Sequence, residues 1–283
     1  TTDSSCDFDQ ALADSLGVTV VPLSVQIGPR RFRNAPGEAM DSHSFYQLLS
    51  QGELAQTSAP NVEEFKAVWR PILQSGRDLL YLGFSSGLSG TYHNAAIAAE
   101  DLREEFPEAR IITVDTLCAS LGQGMLVDLT VQEKRQGKTL DEAAADAEKN
   151  RLHLCHWFTV GDLSQLRRGG RLSAGKAIVA NLLNIKPVLH VDEEGHLVPM
   201  ASAKGRKKSI EALVSHMEES AVAPEQQRVY ISHGDCLADA QLLAQMVRDR
   251  LHVSSVTIGD VGPVIGAHSG AGTLALFFVG THR

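Results

Sequence analysis

The sequence predicts an α/β fold of two domains, the first built on a parallel or mixed sheet. Three observations carry that prediction. Short apolar runs rich in β-branched residues alternate with longer amphipathic stretches along most of the chain, which is the pattern of βαβ units. Hydroxyl- and glycine-rich turns follow predicted strands, where open α/β sheets place their ligands. The length of 283 residues also reaches the size, ~250–300 residues, at which a single core gives way to more than one.

In chain order, β-rich runs fall at 18–25, 79–84, 111–114, 157–160, 188–191, 229–232 and 253–258. Helical patterns occupy 62–73, 90–106, 121–136, 140–152, 207–220 and 238–251. Asp192-Glu193-Glu194-Gly195 reads as a turn between two strands, and such turns become denser after the charged, alanine-rich helix at 141–151. The expected boundary therefore lies near residue 153, giving an N-terminal α/β domain 1–153 and a C-terminal α/β domain 154–283. Segment 261–280 lacks Asp, Glu, Lys and Arg but contains five glycines and Pro263, and its continuous apolar stretch is only 274–279. A membrane-spanning helix needs ~20 apolar residues, so the segment is read as buried strands joined by glycine turns. The start, Thr1-Thr2-Asp3-Ser4-Ser5, has no methionine and no preceding strand, which suggests a few missing N-terminal residues.

Composition narrows the function classes. Apolar residues make up 43% and charged residues 21%, enough for a sizeable core and incompatible with wholesale disorder. A net charge of −8 argues against non-specific nucleic-acid binding, which needs clustered positive charge. Cys6, Cys118, Cys155 and Cys236 are far apart, with no CxxC pair, as expected of reduced thiols in a cytoplasmic protein.

Four motifs invite a functional reading. In Phe84-Ser85-Ser86-Gly87-Leu88-Ser89-Gly90-Thr91, hydroxyls and glycines fill a strand-to-helix turn, where free backbone N–H groups and hydroxyls can hold an anion. The plainer reading makes Ser89 the cap of the helix. Thr57-Ser58-Ala59-Pro60-Asn61 is a second hydroxyl cluster before a helix; Asn61 can serve as its cap, leaving Thr57 and Ser58 spare. Arg167-Arg168-Gly169-Gly170-Arg171-Leu172-Ser173 is a cationic loop, and Lys204-Gly205-Arg206-Lys207-Lys208 a second basic run at a helix start, where the macrodipole disfavours cations. His268 sits in the glycine-rich stretch Gly266-Ala267-His268-Ser269-Gly270, with an unperturbed charge change near neutral pH. His153 and His156 would face opposite sides of a strand, and no ligand set for a metal is visible. The sequence has no HExxH, GxGxxG or GxxxxGK[ST] motif, so none of those metalloprotease or nucleotide-binding signatures presents itself.

These pieces, together with Thr2-Asp3-Ser4-Ser5, Asn184-Ile185-Lys186-Pro187, His233-Gly234-Asp235 and Gly270-Ala271-Gly272, occur in the order found in the DegV family of bacterial fatty-acid-binding proteins. The chain resembles that family over essentially its whole length. The resemblance implies a two-domain DegV-like (EDD-type) fold holding one long-chain fatty acid, its acyl chain buried and its carboxylate in the cleft. It also implies a cytoplasmic carrier without catalytic turnover, cofactor or metal. Such a carrier presents its ligand to a separate fatty-acid kinase for acyl-phosphate formation in phospholipid synthesis, with at most transient membrane contact. By match, Thr57, Ser58, Ser86, Ser89 and Gly90 are expected at the carboxylate, and Arg171, Arg206 and His268 near the head group or the docked kinase. The alternative is a phosphotransferase-like enzyme in which His268 accepts or relays a phosphoryl group.

Overall fold

The computed structural model describes residues 1–161, 163–173 and 184–283. The first part of the chain runs β1 (Thr2–Asp3), α1 (Gln10–Leu16), β2 (Val20–Val21), β3 (Ser24–Ile27), β4 (Arg30–Arg33) and α2 (Ser42–Ser50). It continues with β5 (Ala55–Ser58), α3 (Val62–Gln74), β6 (Leu79–Gly83), α4 (Thr91–Glu105) and β7 (Ile111–Asp115). Then come α5 (Ser120–Arg135), α6 (Leu140–Asn150), β8 (Leu154–Thr159), α7 (Ser164–Arg168), β9 (Ile185–Val191) and β10 (Leu197–Lys204). The last elements are α8 (Arg206–Ser220), β11 (Arg228–His233), α9 (Leu237–Leu251), β12 (Ser255–Asp260), α10 (Pro263–Ser269) and β13 (Leu274–Val279).

Three sheets result. The strands β2-β1-β6-β7 form a parallel sheet. Chain order reverses between β1 and β6, so their carboxyl ends flank a topological switch point. The six-stranded sheet β10-β9-β8-β13-β11-β12 is mixed, with only β11 and β12 parallel. A small antiparallel sheet, β4-β3-β5, lies apart from both and packs its apolar face on α2 and α10 through Val25, Ile27, Phe45 and Val264. Helix α5 is buried along most of its length, and its Leu121, Met125 and Leu126 share one core with Leu82 and Val114 of the parallel sheet and Phe158 and Phe277 of the mixed one.

The long helices and central strands lie where the apolar periodicity puts them. Asn61 caps α3 in a full capping box with Glu64. Two expectations are corrected. The run 18–25 is not one strand: the chain leaves the parallel sheet after β2 and enters the small sheet at β3, with Pro22 between them lacking the N–H that a continuing ladder requires. Segment 261–280 is not a set of strands either. Gly262 caps α10, Pro263 opens it with a preset helical φ and no N–H to leave unpaired, and only β13 follows as a strand. No helix among the described residues is long and apolar enough to cross a membrane.

The switch point is organised by a carboxyl group. Asp3, fully buried at the end of β1, accepts hydrogen bonds from Tyr81 Oη (2.7 Å), Phe84 N (2.9 Å), Ser5 N (3.0 Å) and Gln123 Nε2 (3.3 Å). Burial raises its pKa while these donors pull it back. Removing the acceptor strands several buried donors at a cost of ~1–3 kcal/mol each. Asp3→Ala is therefore expected to lower the free energy of urea unfolding by ~3 kcal/mol or more. A loss under ~1 kcal/mol would show the network to be dispensable.

Candidate ligand-binding site

An apolar cavity is lined by the loop after β6, the face of the mixed sheet and α10. About 740 Å³ of atom-free space lies within it, the open mouth included, of which about 80 Å³ admits the centre of a water-sized sphere. Phe84, Leu88, Phe158, Val191, Ile265 and Phe277 supply apolar wall. Thr57, Ser89, Arg171 and His268, drawn from four distant stretches of chain, join the same lining.

Local structure explains how they meet. On β5, side chains alternate: Ala55 and Thr57 turn inward, while Gln56 and Ser58 face solvent. Helix α10 packs against β5, and His268, in its last turn, places Nε2 2.8 Å from Thr57 Oγ1. The end of α7 presses on the other side of that imidazole. A Cβ on Gly169 would stand 2.5 Å from His268 Nδ1, so only glycine permits this approach. Arg171 then reaches across to donate Nε to the Leu88 carbonyl (3.2 Å), which ties the cationic loop to the serine-rich loop.

The serine-rich loop is itself pinned. Ser85 Oγ donates to Gly195 O (2.9 Å) and accepts from Gly87 N (3.2 Å). The cap of α4 is Gly90, without any side-chain capping bond, so Ser89 is not the capping residue expected. Ser89 instead stands half-buried with Oγ 2.8 Å from Thr91 Oγ1 and accepts from Thr91 N (3.3 Å). A hydroxyl there remains free to face the cavity.

Of the eight residues expected near the head group, four line the cavity and four do not. Ser58, Ser86 and Gly90 are exposed and outside its lining; Ser86 spends its N–H on Asp115 Oδ1 (3.2 Å). Arg206 is drawn away by an ion pair with Asp239 (2.8 Å) and by Cys236 Sγ (3.4 Å). The structure also adds members. Ser120 and Ser232 line the cavity with their Oγ atoms 3.0 Å apart, and Ser120 Oγ also donates to Asp7 Oδ2. His156 lines it from β8, donating Nδ1–H to Leu154 O (2.9 Å) and accepting from Ala119 N (3.4 Å) at Nε2. The signal for this contact was Gly122 inside a predicted helix: a Cβ there would lie 2.2 Å from His156 Nε2. Among the described residues no group of three or more His, Cys, Asp or Glu is placed to hold a metal.

The imidazoles of the site are neutral. Burial, with the Arg171 charge adding to it, lowers the His268 pKa to about 4. Burial and Arg283 hold His156 well below the usual histidine range. Among the described residues the polar end thus offers hydroxyls, a neutral imidazole and a guanidinium, with no carboxylate in the lining. This is an environment for an anionic or carbonyl-bearing head on a long apolar body.

An α/β architecture around an apolar cavity with a few convergent polar groups is the arrangement of small-molecule-binding proteins. Comparison with known proteins agrees on the family. The DegV family model, described as one of uncharacterised proteins, matches residues 1–281. A DegV domain-containing protein of Clostridium perfringens is 41% identical over 279 residues, covering 99% of this chain and 96% of the relative. Among solved structures, a fatty-acid-binding DegV family protein of Thermus thermophilus aligns with a TM-score of 0.88 at 32% identity, covering 99% of this chain and 98% of that one. DegV of Bacillus subtilis, a fatty-acid-binding protein, aligns with a TM-score of 0.86 at 26% identity over 99% and 98% of the two chains. The chain belongs to the DegV family.

Neutral buried histidines make stability depend on pH. His268 and His190 have values of about 4 in the fold, and His156 lies well below the usual range. Unfolded histidines titrate near ~6.5. Between those values the unfolded chain binds more protons, so stability falls as pH is lowered through the window. Asp7, whose carboxyl is raised to about 8, and Asp3, also raised by burial, act in the opposite sense but are outnumbered by the three histidines. Denaturation should show clear loss of stability from pH 7 to pH 5, and His190→Gln should reduce the slope near pH 5.5 by up to ~1.4 kcal/mol per pH unit. A slope unchanged in that variant would mean His190 is charged in the fold.

Proposed function

We propose that this protein binds one long-chain fatty acid, with the acyl chain in the cavity and the carboxylate at Thr57, Ser89 and His268. The observation that carries this reading is the junction of an apolar cavity with a cluster of hydroxyls around a neutral imidazole. Fatty-acid binding by the related Thermus and Bacillus proteins supports it. Burying a CH₂ contributes ~0.8 kcal/mol, so ~14 methylenes offer on the order of 11 kcal/mol before ordering costs. The head then needs orientation more than affinity. With His268 Nε2–H donating to Thr57 Oγ1, the Thr57 proton is free to point at a carboxylate oxygen, and Ser89 can donate to the same group. A buried lysine would instead require desolvating a second charge.

In this reading residues 1–153 and 154–283 are two domains whose cleft holds the carboxylate, and the chain is a cytoplasmic carrier without a cofactor. It presents the carboxylate to a separate fatty-acid kinase, which forms the acyl phosphate. Arg171 lies beside the head group, where it would stabilise the phosphorylated product or an acidic partner surface. Arg206, outside the cavity lining, would act only toward the partner.

Denaturing extraction of the purified chain, followed by mass spectrometry, should yield about one equivalent of long-chain acid. An empty extract with no uptake of added fatty acid would overturn the carrier reading. Thr57→Val and Ser89→Ala are each expected to weaken binding of a fluorescent fatty acid by ~1 kcal/mol or more, while Arg206→Ala leaves it unchanged and slows kinase-dependent acyl-phosphate formation. Acyl phosphate made from ATP by this chain alone, or phosphohistidine at His268, would move the chemistry onto the carrier.

A further inference from the structure

The six-stranded sheet ends in two edge strands, β10 and β12, and the sequence treats them differently. On β10 stand Pro199, a break in register between Pro199 and Ala201, and Lys204. Proline, bulges and lysine are devices that keep a foreign strand from pairing with an edge, and Leu172 adds a bridge to Leu197 there. The other edge has none of these. Strand β12 is Ser255-Val256-Thr257-Ile258-Gly259-Asp260, without proline, lysine or arginine, and it pairs with β11 in unbroken register along its whole length.

The outward side of β12 is unpaired. Ser255 N donates to Gln227 O (3.4 Å) and Val261 N to His233 O (2.8 Å), so the odd-numbered residues turn their amides toward β11. Successive residues of a strand turn N–H and C=O to opposite edges. Val256, Ile258 and Asp260 therefore turn theirs away from the sheet, and among the described residues no further strand receives them. Residues 256–259 are partly exposed, whereas the interior strand β8 is buried throughout. A groove of about 910 Å³ opens along this edge, between α1, the loop after β4 and the start of α9, and shares no lining residue with the apolar cavity. Leu12, Met40 and Leu237, the last 50% exposed, give it apolar wall beside Ile258. Asp9, Asp41 and Asp260 are exposed in the same lining, which among the described residues contains no lysine or arginine.

We propose that β12 is a docking edge for an extended segment of a partner protein, added to the sheet as a further strand. Its apolar residues would meet the groove walls and its lysine or arginine side chains the three carboxylates. In strand addition, main-chain hydrogen bonds supply affinity and side-chain contacts supply selectivity. The charge of the groove selects the occupant. A second copy of this chain, pairing β12 with β12, would set one acidic groove against another, whereas a basic segment complements it.

The test is calorimetric titration of the full chain with a blocked heptapeptide of alternating lysine and valine, with glutamate in place of lysine as the control. The lysine peptide should bind with a Kd under ~1 mM and the glutamate peptide roughly tenfold or more weakly. Two derivatives, N-methylated either on the lysine amides or on the valine amides, separate strand addition from plain attraction to carboxylates. Only one set of amides can face β12, so one derivative should lose roughly tenfold or more in affinity while the other retains it. In the protein, Ile258→Pro removes an outward N–H and spares the bonds to β11; it should lose the peptide yet still take up fatty acid. The methylated pair is read on the unaltered chain, so it decides even where Ile258→Pro does not fold. Equal effects of the two methylation patterns, equal binding of the glutamate peptide, or no heat from the lysine peptide at ~5 mM overturns the proposal. A dimer in sedimentation that Ile258→Pro dissolves also overturns it, and gives the edge to a second copy.

Discussion

The carboxyl of Asp3 is buried where β1 and β6 part, and its donors come from three separate stretches of chain. Phe84 N fixes the start of the serine-rich loop, Tyr81 Oη locks the strand beneath it, and Gln123 Nε2 sets the depth of α5. Everything downstream follows from those positions. The serine loop presents Ser89 and Leu88 to the cavity only if Phe84 is held, and α5 brings Ser120 and Ala119 to the same space only if its first turns are seated. A buried carboxyl is costly unless its hydrogen bonds are made, and this one converts that cost into a fixed geometry at the switch point of the sheet.

The polar end of the cavity relies on neutrality. His268 is desolvated and kept uncharged, so the hydroxyl of Thr57 can be oriented without placing a second full charge in an apolar wall. Arg171 is held at the rim by backbone carbonyls of Leu88 and Gly169, so its position does not depend on an acidic side chain. Among the described residues no carboxylate pairs with this guanidinium, which leaves it able to meet an anion.

Much of the fold was legible because long amphipathic helices and β-branched runs report burial directly. The small sheet was hidden because β4 is Arg30-Arg31-Phe32-Arg33 and β5 is Ala55-Gln56-Thr57-Ser58, short strands without a strong apolar alternation. Helix α10 was hidden by its glycine and histidine content, although Pro263 marked its start. Hydroxyl motifs located Thr57 and Ser89, but not which neighbour turns inward; that depends on strand register. Arg206 could not be assigned from sequence because its partner Asp239 lies 33 residues on and is brought near only by packing of α8 on α9.

The alternation along β5 carries a consequence for how faithfully the site is assembled. Thr57 and Ser58 both end in hydroxyls, so sliding the strand by one position would still present an oxygen to His268, and the head-group chemistry by itself cannot police the register. What does so is two residues upstream. The same slide would swing Gln56 into the apolar layer beside Val25 and Ile27 in place of Ala55, burying an amide with no partner provided for it. The register at Thr57 is therefore guarded by Ala55, which lies outside the cavity lining.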